Sequence, residues 1–174
     1  AGFAGEAVAK GLELRFVPTV LAVNSDPILL ERVLTNLVSN ALRYTQRGGV
    51  LVGARRRGRE LSVEVWDTGV GIDPAERERV FEEFYQVGNP ERNSRKGLGL
   101  GLSIVKRLAQ LLGTRAAVRS VPGRGSVFRV RLPLGREPAV PPAARRTGRA
   151  DSADLADRVI VVIEDEPAVR EGME

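Results

Sequence analysis

Residues 60–72 read Glu-Leu-Ser-Val-Glu-Val-Trp-Asp-Thr-Gly-Val-Gly-Ile. Through Trp66 the apolar and polar side chains alternate, the two-residue period of a strand with one buried face. The alternation stops at a carboxylate, Asp67, followed by Gly69 and Gly71. Glycines two apart let the backbone turn tightly and approach a flat ligand. A carboxylate at a strand end can accept a hydrogen bond from an exocyclic amine such as adenine N6. The same residues also suit an ordinary strand-to-loop turn.

Upstream, Val50 to Arg56 alternates in the same way, and Arg57-Gly58-Arg59 joins the two runs into a hairpin. Before it, Asp26-Pro27 reads as an N-cap followed by proline in a first helical turn. Ile28, Leu29, Val33, Leu34, Leu37, Val38, Ala41 and Leu42 then recur at three- and four-residue spacing, which predicts an amphipathic helix. Gly48-Gly49 closes that region. Leu12, Leu14 and Phe16, and then Leu21 to Val23, predict two short strands, and residues 1–10 are mildly helical. Downstream, Asp73-Pro74 predicts a short helix toward Phe84, and residues 86–100 read as a polar, glycine-rich loop. Leu102 to Leu112 is a third amphipathic run stopped by Gly113. Strands from about 115 to 120 and 127 to 132 flank Pro122-Gly123, and Gly123-Arg124-Gly125-Ser126 reads as a hairpin turn.

The composition narrows the chemistry. The chain has no cysteine, which excludes disulfides, thiolate metal sites and cysteine nucleophiles. It has no histidine either, which excludes a histidine base, metal ligand or phosphoacceptor within this chain. Hydrophobic residues make up 43%, enough for a core, but aromatics only 5%, so aliphatic side chains must build it. The net charge of +5 comes largely from local arginine runs, Arg55-Arg56-Arg57 with Arg59, and Arg145-Arg146 with Arg149. No aromatic residues interleave with them to stack bases, so they read as solvated turns and linker rather than a nucleic-acid surface. No apolar run approaches the roughly 20 residues of a membrane span, so no membrane contact is expected within this fragment.

Two further groupings carry chemistry. Asn36 and Asn40 lie four apart, on one face of the long helix and one turn from each other. Carboxamide oxygens are hard ligands suited to Mg²⁺, although such a pair also serves helix capping or core hydrogen bonding. Lys96-Gly97-Leu98-Gly99-Leu100-Gly101-Leu102-Ser103 places three alternating glycines directly before a helix, where backbone N–H groups and the helix N-terminus favour an anion, most plausibly phosphate. It is neither the dinucleotide-binding fingerprint nor a P-loop, since Leu102 stands where the third glycine is required and no strand precedes it.

The tail changes character. Residues 135–156 are rich in proline, alanine and arginine without periodicity and read as a linker. Arg158 to Ile163 is a continuous apolar run that ends in Glu164-Asp165-Glu166, as a buried first strand of an α/β domain would.

Taken in order, Asn-x-x-x-Asn, Asp-x-Gly-x-Gly, Phe-x-x-Phe-Tyr and Gly-x-Gly-x-Gly resemble the nucleotide-binding catalytic domain of sensor histidine kinases, over roughly residues 12–134. That domain shares a superfamily with type II topoisomerases, heat-shock chaperones and mismatch-repair ATPases. The resemblance implies an α+β fold, a two-layer α/β sandwich of the Bergerat ATP-binding type, with helices on one face of a mixed, mostly antiparallel sheet. It implies ATP and Mg²⁺ as cofactors and transfer of the γ-phosphoryl group to a histidine on a separate dimerisation domain. Asn40 looks like the Mg²⁺ ligand, Asn36 lies near metal and phosphates, and Arg43 reaches the phosphates. Tyr44 would pack against the nucleotide. Asp67 would recognise adenine, with Gly69 and Gly71 admitting the base. Lys96, Gly97, Leu98, Gly99, Leu100, Gly101 and Leu102 would hold the phosphates. Phe81, Phe84 and Tyr85 match the aromatic box beside the lid. The family often continues that box with a basic residue; Gln86 stands there, with Arg92, Arg95 and Lys96 as nearby cations. The ATPase relatives place a glutamate where Asn36 stands, to activate water. Residues 1–134 are thus the expected catalytic domain and 135–156 the linker. Residues 157–174 resemble the truncated start of a receiver domain, with Glu164 and Asp165 as its Mg²⁺-binding acids. A receiver or response regulator is an expected partner, and the cytoplasm the expected location.

Overall fold

The computed structural model describes residues 2–87 and 98–135, and the backbone of a short strand at 158–160. Lys96, Gly97, Glu164 and Asp165 lie outside the described residues, as do Arg92, Arg95 and the linker beyond residue 135. In chain order the elements are α1 (Gly2–Ala9), β1 (Glu13–Phe16), β2 (Ala22–Asn24), α2 (Pro27–Tyr44), β3 (Gly49–Arg57) and β4 (Glu60–Asp67). Two 3-10 turns follow, Pro74–Glu76 and Arg79–Phe81, and then α3 (Gly101–Leu111), β5 (Ala116–Val121), β6 (Gly125–Pro133) and β7 (Arg158–Ile160).

The long helix starts where its cap dictates. The Asp26 carboxylate accepts a hydrogen bond from the Leu29 N–H at 2.9 Å, and Pro27 occupies the first turn. Its buried stripe is Leu30, Val33, Leu37, Val38, Ala41 and Leu42. The main sheet has the order β1-β3-β4-β6-β5; β1 runs parallel to β3 and every other pair is antiparallel. Register sets the core. Leu61 faces Leu132, Val63 faces Val130 and Val65 faces Phe128, all six buried, on the face that α2 and α3 cover. The other face carries a different chemistry: Glu64 is buried there, accepting from the Ser62 hydroxyl at 3.0 Å and the Trp66 indole N–H at 3.1 Å.

One expectation changes. The helix anticipated from Asp73 toward Phe84 is two separate 3-10 turns. Only Val80 is buried in that stretch, with Phe81 half-buried edge-to-face on Phe128 at 6.3 Å, so no helical stripe exists to pack a longer element. Phe84, at φ +62°, then leaves helical geometry altogether. The apolar run from Arg158 appears as β7, and its three residues pair antiparallel with β2 in a separate two-stranded sheet. Among the described residues, no helix is long and apolar enough to cross a membrane.

Leu61 has no exposed surface and sits in the strand that both β3 and β6 flank. Leu61→Ala should therefore lower unfolding free energy by about 2–5 kcal/mol in a denaturant titration. A loss under about 1 kcal/mol would contradict this packing.

Candidate functional site

β4 delivers Asp67 to the rim of the sheet, and the backbone around it fixes its carboxylate. Oδ1 accepts from the Gly69 N–H at 2.9 Å and from the Ser126 N–H at 3.2 Å. Asp67 also borders a cavity of about 80 Å³ whose walls include Ile72, Val80, Leu102 and Phe128, with Asn40 and Tyr44 at its edge. An apolar slot with one oriented carboxylate suits a flat heterocycle that carries an exocyclic amine. Burial pushes the Asp67 carboxyl above its ordinary value, and the two N–H donors only partly oppose that rise.

The glycines make this geometry possible by close approach. Gly71 has φ +70°, and a Cβ there would lie 2.2 Å from the Val121 carbonyl oxygen. Gly125 has φ +104°, and its Cβ would lie 1.9 Å from the Asp67 carbonyl oxygen. The loop after β4 and the turn between β5 and β6 therefore interlock. Ser120 ties them together: its hydroxyl accepts from the Ile72 N–H at 2.7 Å, donates to the Gly125 carbonyl at 2.9 Å and meets the Ser126 hydroxyl at 2.9 Å. The Gly123–Ser126 segment is a hairpin turn, as its sequence suggests, and is also part of the carboxylate's support. Gly69 stands behind the wall rather than in it, packed on the Tyr44 carbonyl.

A polar groove of about 400 Å³ adjoins the slot. Asn36, Ser39, Asn40, Arg43 and Tyr44 of α2 form one side, and Leu98, Gly99, Leu100, Gly101 and Leu102 form the other. The two sides touch at Gly101, where a Cβ would meet Asn40 Nδ2 at 3.2 Å and Asn36 Oδ1 at 3.4 Å. Asn36 Nδ2 donates to the Arg32 carbonyl at 2.8 Å, which leaves its carbonyl oxygen toward Gly101. Leu100, at the N-cap of α3, makes no side-chain cap bond, and Gly101 and Leu102 of the first turn line the groove, where a helix N-terminus favours an anion. Gly99, at φ +68°, is pinned to the aromatic turn, since its carbonyl accepts from the Phe84 N–H at 3.1 Å.

Of the residues singled out in the sequence, Asn40, Tyr44, Asp67, Gly71 and Leu102 line the slot. Asn36, Arg43, Leu98, Gly99, Leu100 and Gly101 line the groove, which also shares Asn40, Tyr44 and Leu102. Gln86 lines the slot rather than the groove. Ser120 and Ser126 were not singled out for a role; the only signal for them was the glycine turn they flank.

A two-layer α+β domain with a carboxylate in an apolar slot, opening on a carboxamide-lined groove at a helix N-terminus, defines a nucleotide-binding ATPase domain. The chain belongs to the histidine kinase-, DNA gyrase B-, and HSP90-like ATPase family, whose model matches residues 25–136. It is 43% identical over 114 residues to sensor histidine kinase RcsC of Escherichia coli K12, covering 66% of this chain and 12% of that protein. It is 42% identical over 164 residues to sensor protein TorS of the same organism, covering 91% of this chain and 17% of TorS. Virulence sensor protein BvgS of Bordetella bronchiseptica is 38% identical over 177 residues, covering 95% of this chain and 14% of BvgS. The chain thus spans less than a fifth of the length of these three relatives. Among solved structures, full-length ShkA in complex with AMPPNP matches with a TM-score of 0.65 and 33% identity, over 76% of this chain and 27% of ShkA. A nucleotide-free catalytic domain of histidine kinase ThkA matches with a TM-score of 0.64 and 25% identity, over 75% of this chain and 84% of that one.

The raised pKa of Asp67 links stability to pH. The folded chain holds this proton more tightly than the unfolded chain, whose value is the ordinary 3.8. The contribution is therefore full below 3.8 and is lost as pH rises through the raised value. At neutral pH the buried charge weighs against folding. Asp67→Asn should melt no lower than wild type at pH 7, with any gain vanishing in acid, while adenine-nucleotide affinity falls. A clearly lower melting temperature at pH 7 would contradict this account of the carboxylate.

Proposed function

We propose that this chain binds Mg²⁺-ATP and donates its γ-phosphoryl group to a histidine on a separate helical dimerisation domain, as the catalytic part of a two-component phosphorelay. The observation that carries the reading is the meeting of Asn36, Asn40 and the start of α3 at Gly101, beside the slot that Asp67 borders. In this reading Asp67 accepts from the adenine amine and Tyr44 packs beside the nucleoside. Asn36, Arg43 and the α3 N-terminus attend the phosphates, with Lys96 and Gly97 extending that cradle.

The residues present fit Mg²⁺. Asn40 supplies a hard oxygen at the groove, and Mg²⁺ otherwise keeps waters and phosphate oxygens. Among the described residues no cluster of three or more acidic or other metal-ligating side chains exists, so the ion would arrive with the nucleotide. When bound it would neutralise phosphate charge; the chain's own part is to bind and orient.

Transfer is favoured over hydrolysis by the groove's lining. Among the described residues it contains no carboxylate, and Asn36 cannot act as a general base toward water. The chain also contains no histidine, so the acceptor must lie elsewhere. The similarity to sensor histidine kinase RcsC, and to the sensor proteins TorS and BvgS, supports a kinase reading. The similarity to TorS and BvgS runs over nine-tenths of the chain, past the family match at residue 136. Together with the acids that end the apolar run from Arg158, this supports a receiver domain's start after the linker, in which Glu164 and Asp165 would be the Mg²⁺-binding acids. The ATP supply this chemistry needs supports a cytoplasmic location.

Two outcomes are expected. Incubated with ATP, the chain alone should take up no acid-labile phosphate; uptake would refute the division of domains. In calorimetry Asn40→Asp, which puts a negative charge beside the phosphates, should weaken Mg²⁺-ATP binding on the order of ten- to a hundredfold, and unchanged affinity would refute the metal and phosphate assignment.

A further inference from the structure

Tyr85 is common to both compartments: its ring lines the slot beside Asp67 and also the groove beside Gly99 and Gly101. What fixes that ring lies outside both. The phenol donates to Glu76 Oε1 at 2.6 Å, at the short end of the O–H···O range. The Arg79 guanidinium stands 4.4 Å from the ring centroid on its face. Glu76 and Arg79 come from the two 3-10 turns, and neither lines the slot or the groove.

The backbone beside Tyr85 is held as firmly. Phe84 occupies the left-handed region at φ +62°, a conformation that persists only where surrounding contacts over-determine it. Its N–H bonds Gly99, and a Cβ on Gly99 would come within 3.0 Å of the Tyr85 carbonyl oxygen. The bond to Glu76 also keeps the phenol proton above the ordinary tyrosine value. An aromatic ring on a plain surface turn needs neither a buttress on its edge nor a cation on its face.

We propose that Glu76, seconded by Arg79, is a positioning residue that acts through Tyr85 to fix the boundary between the base slot and the phosphate groove. The boundary sets how far a bound nucleotide reaches from Asp67 toward Asn40 and the start of α3. This rests on the nucleotide reading above and adds to it a residue that touches no ligand. A ring free to turn would leave the base seated but let the phosphates miss the donors that await them, so its loss acts on the phosphate end of the ligand.

The test compares two probes on the full chain by calorimetry: AMPPNP with Mg²⁺, which spans both compartments, and adenosine, which occupies only the slot. Glu76→Ala and Tyr85→Phe should each weaken AMPPNP about tenfold and adenosine less than about twofold. Glu76→Gln, which keeps an acceptor oxygen, should restore most of the loss. The double variant Glu76→Ala/Tyr85→Phe should be no weaker than either single one, because both remove the same bond. Equal losses for the two probes, additive losses, or no loss would overturn the proposal. Wild-type chain that binds no AMPPNP would instead overturn the nucleotide reading itself, so the two failures are told apart.

Discussion

The site depends on one close approach, that of Gly101 to the carboxamides of Asn36 and Asn40. Two helices that pack over the same sheet face could meet in many ways. Here the contact is backbone against side-chain amide, close enough that a Cβ on Gly101 would press to 3.2 Å from Asn40 Nδ2. It brings the start of α3 beside two carboxamides of α2, and in the proposed function the two together would attend the phosphates and the metal. The apolar stripe of α2, from Leu30 to Leu42, holds one side of the contact, and Val105 and Ala109 bury the other.

Asp67 obeys a related constraint. A carboxylate removed from water is held there by two backbone donors on one oxygen, Gly69 in the loop after β4 and Ser126 at the turn into β6, 59 residues beyond Asp67. The pairing of β4 with β6 brings those loops together, Asp67 opposite Ser126. The same pairing sets Phe128 into the slot wall, and Phe81 packs against its edge. In the proposed function base recognition would rest on a strand register, and the burial that raises the carboxyl's pKa would also strengthen its bond to a base.

The parts legible in the sequence are those whose chemistry and geometry are both local. The cap at Asp26, the stripe of α2 and the alternation of β3 and β4 each declare themselves within a few residues. So do the Asn36–Asn40 spacing and the glycines that precede α3. The order of these groups conveys the fold and many of the residues that line the slot and the groove. What could not be read depends on distant pairing. Ser120 looks like any strand serine until β5 lies against β6 and the Ile72 N–H reaches its hydroxyl. Gly125 looks like turn punctuation until Asp67 is opposite. The segment after Asp73 carries helix-forming residues, yet with only Val80 to bury it breaks into short turns, and Glu76 and Arg79 then meet Tyr85 by tertiary contact alone.

The central claim is convergence: one ligand engaging α2, the loop after β4 and the start of α3 together. Titrating Mg²⁺-AMPPNP into isotope-labelled chain and following amide resonances reads this directly. The side-chain amides of Asn36 and Asn40 and the backbone amides of Gly69, Gly101 and Ser126 should all move along one saturation curve with one dissociation constant. Shifts confined to a single element, or elements that saturate at different ligand concentrations, would contradict a common site.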